Sequence, residues 1–287
     1  MSDDIKPIAR KRGRPKGSGK AAGGGDDSGG VRALDRAFDI LDLLAAEQGL
    51  TLSDIATRMS LAPSTVHRLL STLAARGVLE SDPLTQTWYV GATSFRHGSA
   101  FMRRSGLIDR SWPVLRRLME ITGETANLGI MNGDAVLFIG QVETHETIRA
   151  FFPPGTRSPL HCSGIGKALL AHAPETVLRT FLRGSPLGRY TQRTITESAA
   201  LIADLTEVRD RGYSIDDEER AIGMRCIAAP IFDMFGEAVA GISVSGPSHR
   251  MTEARLPTFG AEVARGAAEL SMGQPASADI QARKGYT

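Results

Sequence analysis

The sequence predicts an α+β chain with two folded parts: an N-terminal winged helix-turn-helix, then a linker helix and a larger α/β domain. Three observations lead there. Residues 31–92 carry three short helical apolar stripes followed by two strand patterns. Residues 111–272 mix helical and strand periodicities. The length of 287 residues suits about two domains, and 41% hydrophobic with 23% charged residues is ordinary for a globular protein.

Residues 1–30 come first. They are rich in Gly, Ser, Asp and basic residues, and their composition predicts a disordered tail. Between residues 5 and 20 lie seven basic residues (Lys6, Arg10, Lys11, Arg12, Arg14, Lys16 and Lys20) and no acid. Of the 34 basic residues, the other 27 face 32 acidic ones, so the overall +2 hides a net −5 outside the tail. Lys11-Arg12-Gly13-Arg14-Pro15-Lys16 resembles an AT-hook. Its glycine lets the backbone sit deep in a narrow minor groove, where Arg12 and Arg14 meet strong negative potential. The plainer alternative is an electrostatic anchor.

Helical periodicity begins at Val31. Leu34, Ala37, Phe38, Leu41 and Leu44 form one stripe, and Leu52, Ile55, Ala56 and Met59 a second. Thr51 with Asp54 approximates a capping box at the start of the second helix. Val66, Leu69, Leu70 and Leu73 form a third stripe, with Pro63 suited to its first turn. Ser60-Leu61-Ala62 is a tight connection, and Arg76-Gly77 ends the third helix. Val78-Leu79-Glu80 and Thr87-Trp88-Tyr89-Val90 read as strands around an Asp82-Pro83 turn. Opposite the third stripe lie Ser64, Arg68 and Ser71, flanked by Thr65 and His67. Such a face fits a major groove: hydroxyls reach phosphates and Arg reads guanine. Residues 31–92 nevertheless hold five Arg, no Lys and seven acids, so general attraction to phosphate falls to the tail and the linker helix.

Residues 92–110, with Arg96, Arg103, Arg104 and Arg110, read as that linker helix. The expected boundaries are 1–30, 31–92, 93–110, 111–272 and a flexible tail at 273–287. In the larger domain, helices are expected at 112–122, 163–173, 175–183, 197–211 and 253–271. Strands are expected at 125–131, 135–142, 147–152, 212–217, 226–232 and 238–245.

Several classes are excluded. No run of 18 apolar residues exists for a membrane helix, and the N-terminus has no secretory h-region. Two cysteines, Cys162 and Cys226, cannot build a disulfide framework, and a cytoplasmic setting follows. No Cys/His cluster has zinc-ligand spacing, so no metal is expected. No cofactor is expected either.

Within the second domain, Gly164-Ile165-Gly166 opens a helix, so backbone N–H groups and the positive end of the helix dipole face outward there, a natural carboxylate site. Ser243 and Ser245 share one face of a strand, a pattern that solvent exposure alone would also explain. Cys226 by itself reads as a small core residue. Lys167 as a Schiff-base amine or Cys226 as a nucleophile would make the chain an enzyme, yet neither has an evident paired base, so no catalytic residue is assigned. A thiol switch through Cys162 and Cys226 is a further alternative.

The stretch from Val31 to Met272 resembles the IclR family of transcriptional regulators. The resemblance rests on Leu61-Ala62-Pro63-Ser64-Thr65-Val66-His67-Arg68-Leu69-Leu70 and on Pro159-Leu160-His161-Cys162-Ser163-Gly164-Ile165-Gly166-Lys167-Ala168. It rests equally on Arg211-Gly212-Tyr213-Ser214-Ile215-Asp216-Asp217-Glu218-Glu219, Gly223-Met224-Arg225-Cys226-Ile227-Ala228-Ala229-Pro230 and Ser243-Val244-Ser245-Gly246-Pro247. It implies a GAF-like effector domain with an antiparallel sheet, and homodimers or homotetramers on double-stranded operator DNA. In family members that sense small 2-oxo acids, the positions matching Gly164, Ile165, Asp216, Cys226, Ser243 and Ser245 hold the effector, with Met224 in the apolar wall. The resemblance therefore implies a small carboxylate effector, glyoxylate first, with pyruvate or an aromatic acid as alternatives. The AT-hook-like tail departs from the family pattern.

Overall fold

A computed structural model describes residues 31–47, 49–184 and 186–272. The chain divides into two compact units, with the division between Ser99 and Ala100.

The first unit begins with α1 (Arg32–Ala46) and the two-residue strand β1 (Leu50–Thr51). Then come α2 (Leu52–Arg58), α3 (Pro63–Ala74) and a hairpin of β2 (Leu79–Asp82) and β3 (Thr87–Val90). The capping box at α2 forms: Thr51 accepts from the Asp54 amide at 3.2 Å, and Asp54 accepts from the Thr51 amide at 3.1 Å. Pro63 occupies the first turn of α3, where a missing N–H costs nothing. β3 lies between β1 and β2, so the wing is a three-stranded sheet. The core is Ile40, Leu44, Leu50, Ile55, Ala56, Val66, Leu70 and Leu79. The stripe expected on α1 is rotated: Ile40 and Leu44 are buried, while Leu34 and Phe38 are 54% and 58% exposed. Packing of α1 against α3 and β3 selects the Ile40 face, a choice that the run of apolar residues leaves open.

α4 (Ala92–Ser105) does not continue to residue 110. Gly106, at φ +56, separates it from α5 (Leu107–Thr122), whose Leu107 and Ile108 join the core of the second unit. A left-handed residue of this kind interrupts a helix and is readily adopted by glycine.

The second unit is built on one antiparallel sheet in the order β6-β5-β4-β9-β8-β7. The strands are β4 (Thr125–Asn132), β5 (Ala135–Val142), β6 (Arg157–Pro159), β7 (Ser214–Asp217), β8 (Met224–Phe232) and β9 (Ala238–Pro247). α5 and α9 (Leu256–Met272) pack on one face, with Ile227, Ala229, Ile242 and Val244 beneath them. α6 (Gly164–His172), α7 (Glu175–Gly184) and α8 (Ser198–Arg211) contribute the apolar cluster that includes Val136, Phe138 and Ala228. α6 sits close to the sheet: a Cβ on Gly241 would lie 2.9 Å from Ile165 Cγ2.

One expected strand does not form. Residues 147–152 are irregular, and the edge of β5 is taken by β6 instead. Pro153 and Pro154 follow and offer no N–H donors. The next residues occupy the β5 edge, since Phe138 N–H donates to Thr156 O and Gly155 N–H donates to Phe138 O. Phe152 turns in and stacks on Phe138, with ring centroids 5.0 Å apart.

Candidate functional site

The first unit presents an exposed polar helix face. Ser64, His67, Arg68 and Ser71 of α3 are exposed and Thr65 is half-buried, while Val66 and Leu70 on the other side are fully buried. Arg12 and Arg14 lie outside the described residues. Sequence reasoning missed a neighbouring feature. Thr65, Arg68, Thr72 and Arg76 line a groove with Arg32 and Arg36 of α1. Four of the five arginines in residues 31–92 therefore border one groove, although the segment is acidic in sum. The four-residue spacing of Arg32 and Arg36 was the available signal.

The second unit encloses a cavity of about 270 Å³, below the ~300–1,000 Å³ typical of small-molecule pockets and suited to a compact ligand. Gly164, Ile165, Asp216, Met224, Cys226, Ser243 and Ser245 all line it. The sheet register explains their meeting. Asp216 pairs with Cys226, Cys226 with Ser245 and Ser245 with Thr125, so one transverse row of four strands turns these side chains to the same face. The next row runs Ala228, Ser243, Asn127, Gln141.

The two serines are buried, at 0% and 3% exposure, so their alternation with Ile242 and Val244 reflects two covered faces rather than a solvated one. Asn127 bridges them at 3.4 Å each and accepts from Gln141 Nε2 at 3.1 Å. Sequence reading missed Asn127, which ties the two serines together; a buried amide within an apolar strand was its only trace.

At the start of α6, Ser163 caps the helix by accepting from the Gly166 amide at 3.2 Å. The Ile165 N–H has no acceptor among the described residues, as expected for the first turn of a helix. The Gly164 N–H is directed at the Cys226 sulfur, and a Cβ on Gly164 would lie 2.7 Å from that sulfur. Only glycine leaves this end of the cavity open.

Asp216 is 7% exposed. Its Oδ1 accepts from the Glu219 amide at 2.8 Å and the Arg220 amide at 3.3 Å. Its other oxygen receives no hydrogen bond among the described residues. Burial, with the Glu219 carboxylate acting in the same direction, pushes the Asp216 carboxyl up to about 7. Burial and then the Asp216 charge push the Cys226 thiol up to about 11, the opposite of what a nucleophilic cysteine needs. Burial pushes Cys162 up to about 12.

Lys167 lies outside the cavity wall. It is 1% exposed, its ammonium pairs with Glu219, and Asp204 stands 3.1 Å away. Burial alone would lower its pKa, but the two carboxylates more than offset that and hold it above the ordinary value. Arg225 does reach the cavity, yet its guanidinium is spent on Asp217 at 2.5 Å and the Met251 carbonyl at 3.0 Å. Arg220, which sequence reading passed over, also lines the cavity. Its guanidinium lies 4.2 Å over the Tyr190 ring, with no carboxylate paired to it among the described residues.

Two family descriptions match this sequence. The IclR helix-turn-helix domain covers residues 33–83, and the bacterial transcriptional regulator IclR C-terminal region covers residues 99–272. The chain belongs to the IclR family. It is 66% identical to the HTH-type transcriptional regulator BhcR of Paracoccus denitrificans, covering 96% of this chain and 98% of that one. It is 37% identical to the transcriptional repressor IclR of Escherichia coli, covering 93% and 97%. The crystal structure of the Thermotoga maritima IclR matches with a TM-score of 0.67 at 30% identity, covering 84% and 98%. An IclR homologue from Microbacterium hydrocarbonoxydans complexed with 4-hydroxybenzoate matches with a TM-score of 0.72 at 26% identity, covering 84% and 100%. As a member of this family the chain is a DNA-binding transcriptional regulator with an effector-binding domain. Among the described residues no helix is long and apolar enough to cross a membrane.

Proposed function

We propose that this regulator binds an operator through α3 and that a small carboxylate in the second-unit cavity sets its operator affinity. Ser64, Thr65, His67, Arg68 and Ser71 are the operator-facing residues, with Arg12 and Arg14 of the tail adding minor-groove contacts. Gly164, Ile165, Asp216, Met224, Cys226, Ser243 and Ser245 hold the effector. The observation that carries this reading is the convergence of those seven residues, from three strands and a helix start, on one cavity. The open Ile165 amide at the start of α6 suits a carboxylate, and the buried hydroxyls suit a second oxygen.

Glyoxylate is the first candidate because the cavity is compact and the lining residues match those that the family resemblance assigns to small 2-oxo acids. With five heavy atoms and a ceiling of about −1.5 kcal/mol per atom, it binds at best at roughly −7.5 kcal/mol, a micromolar constant. Pyruvate fits the same groups. The stacked Phe138–Phe152 wall favours an aromatic acid as the second reading, in keeping with the 4-hydroxybenzoate bound by the Microbacterium homologue. Homodimers or homotetramers place paired α3 helices on half-sites about one helical turn, or a multiple, apart.

Fluorescence anisotropy on the DNA upstream of its own gene, with and without millimolar glyoxylate, pyruvate or 4-hydroxybenzoate, tests both halves. Specific binding shifted by one acid supports the reading and selects the effector. Tight specific binding unchanged by every acid removes the carboxylate effector and leaves the operator.

A further inference from the structure

The cavity poses a charge problem. A carboxylate effector is an anion, and the wall that receives it already contains a buried carboxyl group. Asp216 lines the cavity and anchors its turn with one oxygen, while the other oxygen accepts no hydrogen bond among the described residues. Two carboxylates brought into contact in a buried space do not both stay ionised; such pairs share one proton.

The groups around Asp216 relieve the conflict only in part, because burial and the Glu219 charge outweigh the Lys167 charge and the carboxyl stays raised. Lys167 on α6 is held by Glu219 and by Asp204 of α8. Arg225 on β8 is paired with Asp217, the residue after Asp216. Cys226, opposite Asp216 on β8, and Cys162, just before α6, are both thiols held neutral by burial. On the same turn, Glu219 adds negative charge, and Arg220 contributes its amide to Asp216 while its guanidinium rests on Tyr190.

We propose that the regulator binds its acid effector together with one proton, held between the free oxygen of Asp216 and the bound carboxylate. The balance is simple: one anion and one solvent proton enter, and Asp216 serves as a neutral hydrogen-bond donor rather than as a charge. This rests on the effector reading above and extends it to the protonation state of the complex. It also explains why the cavity can contain a carboxyl and still accept an acid. The same arrangement makes the sensor respond to acid concentration and pH together, because an ionised Asp216 repels the ligand.

Isothermal titration of the full chain with glyoxylate and with pyruvate, from pH 6 to 9 in buffers of different ionisation enthalpy, tests the proposal. Affinity is expected to be nearly level below pH 7 and to fall about tenfold per pH unit above it, with proton uptake approaching one per ligand. Asp216→Asn keeps an acceptor for the Glu219 and Arg220 amides and supplies a permanent donor. It is expected to bind with no proton uptake and with a level pH profile. A level profile without proton uptake in the unaltered protein overturns the proposal and leaves the effector reading standing. No heat from any acid at any pH overturns both.

Discussion

The exposed face of α3 and the polar row across β7, β8 and β9 use similar residue types in opposite settings. On α3, Ser64, Arg68 and Ser71 stand in water over an apolar core, so changing them leaves the fold almost untouched. On the sheet, Ser243, Ser245 and Asp216 are themselves interior, and each is fitted to partners that would otherwise be buried unpaired. The residues proposed for recognition are thus nearly independent of stability in the first unit and bound up with it in the second.

Three substitutions would break or sharpen this contrast. Lys167→Met removes the cation from a buried cluster and leaves Glu219 and Asp204 facing each other. It is expected to destabilise the second unit by about 3–5 kcal/mol, read as a lowered denaturant midpoint. Unchanged stability would mean that the cluster is open to water. Gly164→Ala brings a Cβ against the Cys226 sulfur. An overpacking cost of about 1–3 kcal/mol is expected, together with loss of acid binding in titration calorimetry and retention of operator binding. Full acid affinity in this variant would move the ligand away from the start of α6. Arg68→Ala is expected to change stability by less than about 0.5 kcal/mol while weakening operator binding by about 1–3 kcal/mol in anisotropy. A large drop in melting temperature there would show that α3 is less separable from its core than the exposed face implies.

The contrast also accounts for what could be read in the sequence. The helix-turn-helix was legible because its apolar and polar residues separate at helical spacing, and Thr51, Asp54, Pro63 and Gly77 punctuate it. α1 was legible as a helix but not in orientation. Its apolar residues spread over more than one face, and only contact with α3 and β3 buries Ile40 and leaves Phe38 outside.

In the second unit, the kinds and spacing of the cavity residues were visible, and their resemblance to family motifs named them. What the sequence by itself determined is the set of local elements and the polar residues they carry, because periodicity, caps and turns act within a few residues. What only the tertiary structure decided is burial and company. Cross-strand register aligned Asp216, Cys226 and Ser245, residues far apart in the chain. The β5 edge went to Arg157–Pro159 rather than to residues 147–152, because backbone donors and acceptors compete for one edge. The fates of the cations were settled in the same way: Lys167 and Arg225 were neutralised by carboxylates from other elements, while Arg220 was left against an aromatic ring. A charge's role depends on what lies within a few ångströms of it, and that neighbourhood is set by the packing of α6 onto the sheet.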